Sequence, residues 1–277
     1  MDSYLVGLVG SGIGPSLSPA LHEREADLLG LRYLYRRLDI GEQVGSIVGE
    51  LVAAARLVGF DGLNITHPCK QLVLPHLDGL DSTAEVLRAV NTVVFRDGEA
   101  IGYNTDTTGF ARAVETGLGG VELGRVVLIG AGGAGAACAH ALVRLGARRI
   151  DVFDAEPERA AALASQLGVD VGTRLDLALE AADGLVHATP TGMDAHPGIP
   201  LDTGLLDPHL WVADVVYRPL DTALVQAARG SGCRVLDGGR MAVFQAVDAF
   251  RLFTGHAPDA DRMLRHFETL EAPCPTP

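Results

Sequence analysis

The chain is poor in cysteine. Its four residues, Cys69, Cys138, Cys233 and Cys274, lie far apart in a sequence of 277. No C-x-x-C pair and no Cys/His cluster occurs, which excludes a zinc-finger site and a disulfide framework and leaves reduced thiols as the expected state. The histidines lack ligand spacing, so no metal is expected. Positive charge is also short: 22 Lys and Arg stand against 35 Asp and Glu, a net charge of −13. That excludes a nucleic-acid-binding surface and docking on an anionic membrane. An anionic small molecule held locally by a lysine or a helix end stays open. No apolar run is long enough to span a bilayer. The start at Met1-Asp2 lacks the basic region and apolar core of a signal peptide, so the cytoplasm is the expected compartment. Internal repeats and low-complexity tracts are absent as well.

What is plentiful is glycine, 34 residues, as many βα turns would need. Strand-like runs at 4–9, 33–39, 62–66, 91–95 and 100–104 alternate with helical runs at 20–29, 44–58, 71–77 and 82–90. The last two strands flank Asp97-Gly98 and read as a hairpin. A helix at 105–117 follows, then strands at 183–188, 211–216 and 234–236 among helices at 157–167, 222–230, 241–254 and 259–270. The pattern predicts two α/β domains, with a frayed tail at 273–277.

Residues 125–154 carry the sharpest signal. An aliphatic run at 126–129 leads into Gly130-Ala131-Gly132-Gly133-Ala134-Gly135, which fits G-x-G-x-x-G. An Ala-rich helical run ends at Gly146, and a second apolar run closes on Asp154. This is the order a dinucleotide site requires: a tight turn, close backbone approach to a pyrophosphate, and a helix N-terminus facing the phosphates. A carboxylate at Asp154 suits both ribose hydroxyls and repels a 2′-phosphate, so NAD is expected over NADP. Arg159 could stack on the adenine or be a solvated helix residue.

Other polar residues fall near strand ends, where open parallel sheets bind ligands. Ser16 and Ser18 follow the first strand, Asn64, Thr66 and Lys70 the third, Asn91 opens the fourth, and Asp106 lies past Asn104. Singly, Ser18 reads equally well as a helix N-cap before Pro19, Lys70 as a surface lysine and Asp106 as a helix cap. Together they form a set suited to a small polyhydroxylated ligand.

These residues resemble the shikimate dehydrogenase family, most closely its NAD-dependent quinate/shikimate dehydrogenase branch. Eight elements carry the resemblance in order from Ser16 to Ala246. They are Ser16-Leu17-Ser18-Pro19-Ala20-Leu21-His22, Asn64 to Lys70, Ala89 to Thr92, Gly102 to Asp106, the glycine turn, Ala188 to Met193, Asp214 to Tyr217 with Pro219, and Gly238 to Ala246. The resemblance implies a substrate domain at 1–106 with a mainly parallel sheet, a Rossmann-like NAD-binding domain at 107–238, and C-terminal helices at 239–277 packing back on the first domain. It implies Lys70 and Asp106 as the catalytic pair, consistent with an amine beside a carboxylate passing on the proton of a reacting hydroxyl. It places Ser16, Ser18, Thr66, Asn91, Tyr217 and Gln245 around the substrate. It assigns the dinucleotide to Gly130 through Gly135 (with Ala131, Gly132, Gly133 and Ala134), Asp154, Arg159, Thr189, Pro190, Met193, Val215, Gly238 and Met241.

The implied activity is reversible oxidation of a ring secondary alcohol of quinate or shikimate, in catabolism or in aromatic amino-acid biosynthesis, by a monomer or homodimer. An amino-analogue dehydrogenase and a non-catalytic nucleotide sensor are the alternatives. Retention of both Lys70 and Asp106 argues against the sensor.

Overall fold

A computed structural model describes residues 2–41 and 46–271. Val44, Cys274 and the expected tail lie outside the described residues. The described chain divides into two compact units, one running to Thr105 and resuming at Gln245, the other Asp106–Phe244.

The first unit contains β1 (Ser3–Gly10), α1 (Ser18–Leu28), β2 (Arg32–Asp39), α2 (Ser46–Leu57), β3 (Gly62–Ile65), α3 (Cys69–Leu72), β4 (Gly79–Leu80), α4 (Ser82–Leu87), β5 (Thr92–Arg96) and β6 (Glu99–Tyr103). α5 (Thr105–Gly117) then leads into the second unit. The strand order is β2-β1-β3-β5-β6-β4. β1 runs parallel to both neighbours, while β5 runs antiparallel to both of its neighbours, β3 and β6. The hairpin turns as expected at Asp97 and Gly98, both with positive φ (52° and 81°), the geometry that suits strand twist. Strand period two supplies both faces of the sheet. Val9, Leu63, Ile65 and Val93 pack with Val48 and Val52 of α2. Val6, Leu8 and Val94 pack instead with Ile13, Tyr35, Ala249 and Phe253.

The second unit contains β7 (Arg125–Ile129), α6 (Gly133–Arg144), β8 (Arg149–Phe153), α7 (Pro157–Leu167), β9 (Asp170–Val171), α8 (Leu175–Glu180), β10 (Gly184–His187), β11 (Trp211–Asp214), α9 (Ala223–Gly230) and β12 (Arg234–Leu236). Its sheet is parallel throughout, in the order β12-β11-β10-β7-β8-β9. This is the doubly wound arrangement, with the strand order reversing between β7 and β10. β10 and β11 are buried at every position, as strands covered by helices on both faces must be. The chain closes with α10 (Gly239–Thr254) and α11 (Ala260–Glu271). No helix among the described residues is long and apolar enough to cross a membrane.

Four local differences from expectation have physical causes. The helix expected over 71–77 stops at Leu72 and gives way to a 3-10 turn at Leu74–His76, because Pro75 has no N–H to continue the ladder. The helix expected to Val90 ends at Leu87, with Arg88 left-handed at φ 50°. The Val90 amide then bonds to the Lys70 carbonyl at 2.8 Å. β4 and β9 are two residues long, too short to show periodicity. α8, six residues long, is less than two turns and equally hard to recognise.

α11 is anchored to α1 by a buried carboxylate. Glu25 is 1% exposed. It accepts bonds from Arg262 Nε at 2.8 Å and Nη2 at 2.5 Å, and from the Asp259 amide at 2.8 Å. Removing the partner of a buried charge is costly, less so where that partner is partly exposed as Arg262 is. Arg262→Ala should therefore destabilise the protein by about 2–3 kcal/mol, read as a lowered urea midpoint. A midpoint equal to that of the parent would mean that α11 does not depend on this pair.

Candidate active site

The polar ends of the first unit are held by a buried hydrogen-bond chain. Tyr35 Oη donates to Asn64 Oδ1 at 2.7 Å, and Asn64 Nδ2 donates to Thr92 Oγ1 at 3.1 Å. Thr92 Oγ1 donates to Asn91 Oδ1 at 3.1 Å. Asn91 Nδ2 donates to Thr105 Oγ1 at 2.9 Å, and the Thr105 amide returns to Asn91 Oδ1 at 2.8 Å. Asn64, Thr92, Asn91 and Thr105 are all buried, where unpaired amides would cost free energy, so their pairing fixes them. The chain ties the end of β3 to the start of β5 and to the first residue of α5, next to Asp106. Asp106 is itself only 7% exposed and lies in the first turn of α5.

Around this support stand half-buried groups. Thr66 and Lys70 follow β3, and the Thr66 amide bonds to Val9 at the end of β1. The Lys70 carbonyl takes the amide preceding Asn91. Ser16 and Ser18 lie 3.3 Å apart through their hydroxyls. Ser18 is not the N-cap of α1: Leu17 holds that position without a side-chain cap, and Ser18 is the first helical residue. The Ser18 hydroxyl is thus spared capping duty, while the Ser16 hydroxyl accepts the Ser18 amide at 3.3 Å. Within the first unit the structure brings together the edge bearing Ser16, Ser18, Thr66, Lys70 and Asn91. Gln245 lies half-buried in α10 and belongs to this unit, while Tyr217 lies half-buried past β11 in the other.

The second unit builds a phosphate cradle. Gly130 has φ 107°, and a Cβ there would stand 2.6 Å from the Ala188 carbonyl oxygen. A Cβ on Gly135 would land on the carbonyl oxygen of Gly130. Only glycine fits either position, whereas Gly132 faces open space and caps α6 with no side-chain bond. A bare helix N-terminus beside an open glycine is the arrangement that accepts phosphate, so these residues fit a dinucleotide. Asp154, at the end of β8, accepts from the Ala131 amide at 2.7 Å and from the Glu156 amide at 2.9 Å. Arg159 is exposed and pairs with Glu156 at 2.9 Å. Thr189, Pro190 and Met193 follow β10, Val215 follows β11, and Gly238 and Met241 follow β12. The Val215 amide bonds to the His187 carbonyl at 3.0 Å. Gly238 approaches the Val215 and Val216 carbonyls so closely that a Cβ would stand about 2.6 Å from them.

His187 lies outside every motif, while its strand-end partner Asp214 opens the element Asp214 to Tyr217. His187 and Asp214 each terminate a wholly buried strand and face each other in register. The available signal was a charged or titratable residue closing an otherwise apolar run.

Comparison with known proteins agrees over the whole length. Residues 8–93 match the profile of the shikimate dehydrogenase substrate binding domain, and residues 103–216 that of the alanine dehydrogenase/PNT C-terminal domain. A shikimate dehydrogenase (NADP(+)) of Streptomyces avermitilis is 64% identical over 275 residues, covering 95% of this chain and 94% of that one. A quinate/shikimate dehydrogenase (NAD(+)) of Corynebacterium efficiens is 50% identical over 281 residues, covering 97% and 99%. Among solved structures, quinate dehydrogenase from Corynebacterium glutamicum in complex with NAD superposes with a TM-score of 0.91 at 47% identity, covering 97% of this chain and 100% of that one.

His22 closes the serine-loop motif but lies in the core. It is enclosed by Tyr33, Tyr35, Phe250 and Phe253, with ring centroids 5.1–6.1 Å away. Its Nδ1 meets Tyr33 Oη at 3.0 Å, and its Nε2 is buried without a partner among the described residues. Burial pushes its pKa down from 6.5 to about 3. Below pH 6.5 the unfolded chain therefore takes up a proton that the folded one refuses, so this contribution is complete above 6.5 and is lost as pH falls toward 3. The loss between pH 7 and pH 4 should be about 3 kcal/mol, measured by urea unfolding. His22→Phe, which keeps a ring in the cage, should decline less over the same interval. Parallel declines would place the acid sensitivity elsewhere.

Proposed function

Since the chain belongs to the shikimate dehydrogenase family, we propose that it reversibly oxidises the ring secondary alcohol of shikimate or quinate to the 3-dehydro ketone, with NAD as the hydride acceptor. At the coarser level it is a nicotinamide-dependent oxidoreductase of the shikimate/quinate class. The observation that carries the reading is the coexistence, in one chain, of a polar strand-end cradle and a glycine turn that leaves room for phosphate.

NAD, when bound, supplies the hydride acceptor; the residues of the chain do the rest. The turn at 130–135 and the α6 N-terminus hold the pyrophosphate, and Asp154 receives the ribose hydroxyls. Arg159, Thr189, Pro190, Met193, Val215, Gly238 and Met241 complete the dinucleotide surface. Ser16 and Ser18 stand around the ring carboxylate and hydroxyls with Thr66, Asn91, Tyr217 and Gln245, which orient them. As hydride leaves the carbinol carbon, the hydroxyl proton passes to Lys70 Nζ, with the Asp106 carboxylate as its partner. The ketone forms, and the reverse reaction returns the same proton.

NAD is favoured over NADP by the acids at the end of β8. Asp154 stands where a 2′-phosphate would come, and the nearest arginine of α7 is engaged with Glu156. The relatives divide on this point, the Streptomyces protein being named for NADP(+) and the Corynebacterium efficiens protein for NAD(+).

The decisive experiment is a kcat/KM matrix of quinate, shikimate and their amino analogues against NAD and NADP. NAD with quinate or shikimate should give the highest values. Equal or better efficiency with NADP would overturn the cofactor choice, and turnover of the amino analogues alone would overturn the substrate. Lys70→Ala should lower kcat by about 10²–10⁴-fold with NADH affinity retained. Undiminished turnover would remove Lys70 from the proton path. Asp154→Ala should narrow the NAD preference by about tenfold, the scale of one charge-assisted contact. An unchanged ratio would show that selectivity lies elsewhere.

A further inference from the structure

At the carboxyl ends of β10 and β11, four side chains form a continuous hydrogen-bonded chain, of which only Thr189 belongs to the proposed dinucleotide surface. His187 Nδ1 lies 2.9 Å from Asp214 Oδ1, and its Nε2 lies 2.5 Å from Thr189 Oγ1. The imidazole and the carboxylate are completely buried. Asp214 also accepts from the Val216 amide at 3.0 Å and from the Thr222 hydroxyl at 2.7 Å. Thr222 in turn caps α9 through the Val225 amide at 3.1 Å. Thr189 Oγ1 accepts from the Thr191 amide at 3.3 Å.

One assignment of protons gives every group a complementary partner. Nδ1–H donates to Asp214, Nε2 accepts, and the Thr189 O–H donates to it. The second nitrogen of a histidine is thereby set by the bond the first one makes. Thr189 has then spent its only proton inward, and its rotamer is fixed. Its Cγ2 is turned toward Gly130, where a Cβ would come within 2.9 Å of it. The same glycine is pressed by the Ala188 carbonyl. Thr189 begins the segment that turns back through the Gly192–His196 bond of 2.7 Å to Met193.

We propose that His187 is a positioning residue. Anchored by Asp214, it holds Thr189, and through Thr189 the segment 189–193, against the Gly130 turn. Dinucleotide affinity in this chain then depends on an imidazole that is itself sealed from any ligand. The inference rests on the reading that the glycine turn holds a dinucleotide. It identifies what keeps one wall of that turn in place.

The test is NADH binding by nicotinamide fluorescence, with thermal melting and the KM for shikimate measured alongside. Failure of the parent protein to bind NADH would overturn the dinucleotide reading itself. Given binding by the parent, His187→Leu and Thr189→Val should each weaken NADH by about tenfold, the scale of one lost hydrogen bond, and His187→Leu should alter shikimate KM less than twofold. Because both act through one chain of bonds, the double variant should bind no worse than either single one. His187→Asn offers an amide donor and acceptor in place of the ring and should recover most of the affinity, which a purely space-filling role would not predict. Single variants within twofold of the parent, or losses that multiply in the double variant, would overturn the proposal. If His187→Leu does not fold, Thr189→Val decides by itself: it leaves the His187–Asp214 pair intact, and unchanged NADH affinity there is fatal. Imidazole nitrogen shifts of the parent protein give a check that needs no variant. They should report the Nδ1–H tautomer at His187, and an Nε2–H tautomer would refute the assignment.

Discussion

The reversal of strand order between β7 and β10 governs the second unit. In a parallel sheet, register sets which residues end level, and here Ile129, His187 and Asp214 lie opposite one another on three adjacent strands. Whatever follows them must emerge at one edge. Gly130, Ala188 and Val215 therefore become neighbours although about 85 residues separate the first from the last. The glycine at 130 is imposed from across the sheet as much as by its own turn, because the Ala188 carbonyl occupies the space a side chain would need. A crevice beyond the carboxyl ends is the general consequence of such a reversal, and this chain lines it with bare amides on one strand and a locked threonine on the next.

The first unit meets a related demand by different means. A run of amides and hydroxyls, from Tyr35 through Asn64, Thr92 and Asn91 to Thr105, is buried beneath the groups that remain half-open. A buried polar chain of this kind is costly if any member is unpaired and rigid when all are paired. The pairing lets the end of β3, the start of β5 and the start of α5 hold fixed positions. Stiffness below and accessible hydroxyls above are what a site for a small, densely hydroxylated molecule requires, since each misplaced donor would face a substrate group it could not satisfy.

What the sequence made legible was local. The glycine turn, its flanking strands, Asp154, the Asp97-Gly98 hairpin and the helix at 105–117 are specified by neighbours a few residues away, so spacing reveals them. The buried networks are specified by register, and no spacing rule links His187 to Asp214, which are 27 residues apart. His22 shows the same limit from the other side. It sits in a motif with Ser16 and Ser18, yet its ring is enclosed by an aromatic cage supplied by β2 and α10. Ser18 likewise read as a cap because Pro19 follows it, but the helix begins one residue earlier than that reading requires.

Asp154 combines these lines, because two demands meet in its carboxylate. One oxygen accepts the amide of Ala131, inside the glycine turn, and the other accepts the amide of Glu156. The acid therefore organises the turn before any ribose arrives, and the turn presents the acid in a single orientation. The proposed selectivity is preorganised: both oxygens are held by charge-assisted bonds, so a ribose diol would find acceptors in place while a phosphate would meet a fixed carboxylate. The neighbouring cation that might have softened this repulsion is occupied by Glu156. An acidic residue at this position is part of the fold and, in the proposed function, also part of the choice of cofactor. Replacing it tests two properties at once unless turn stability and cofactor ratio are measured separately.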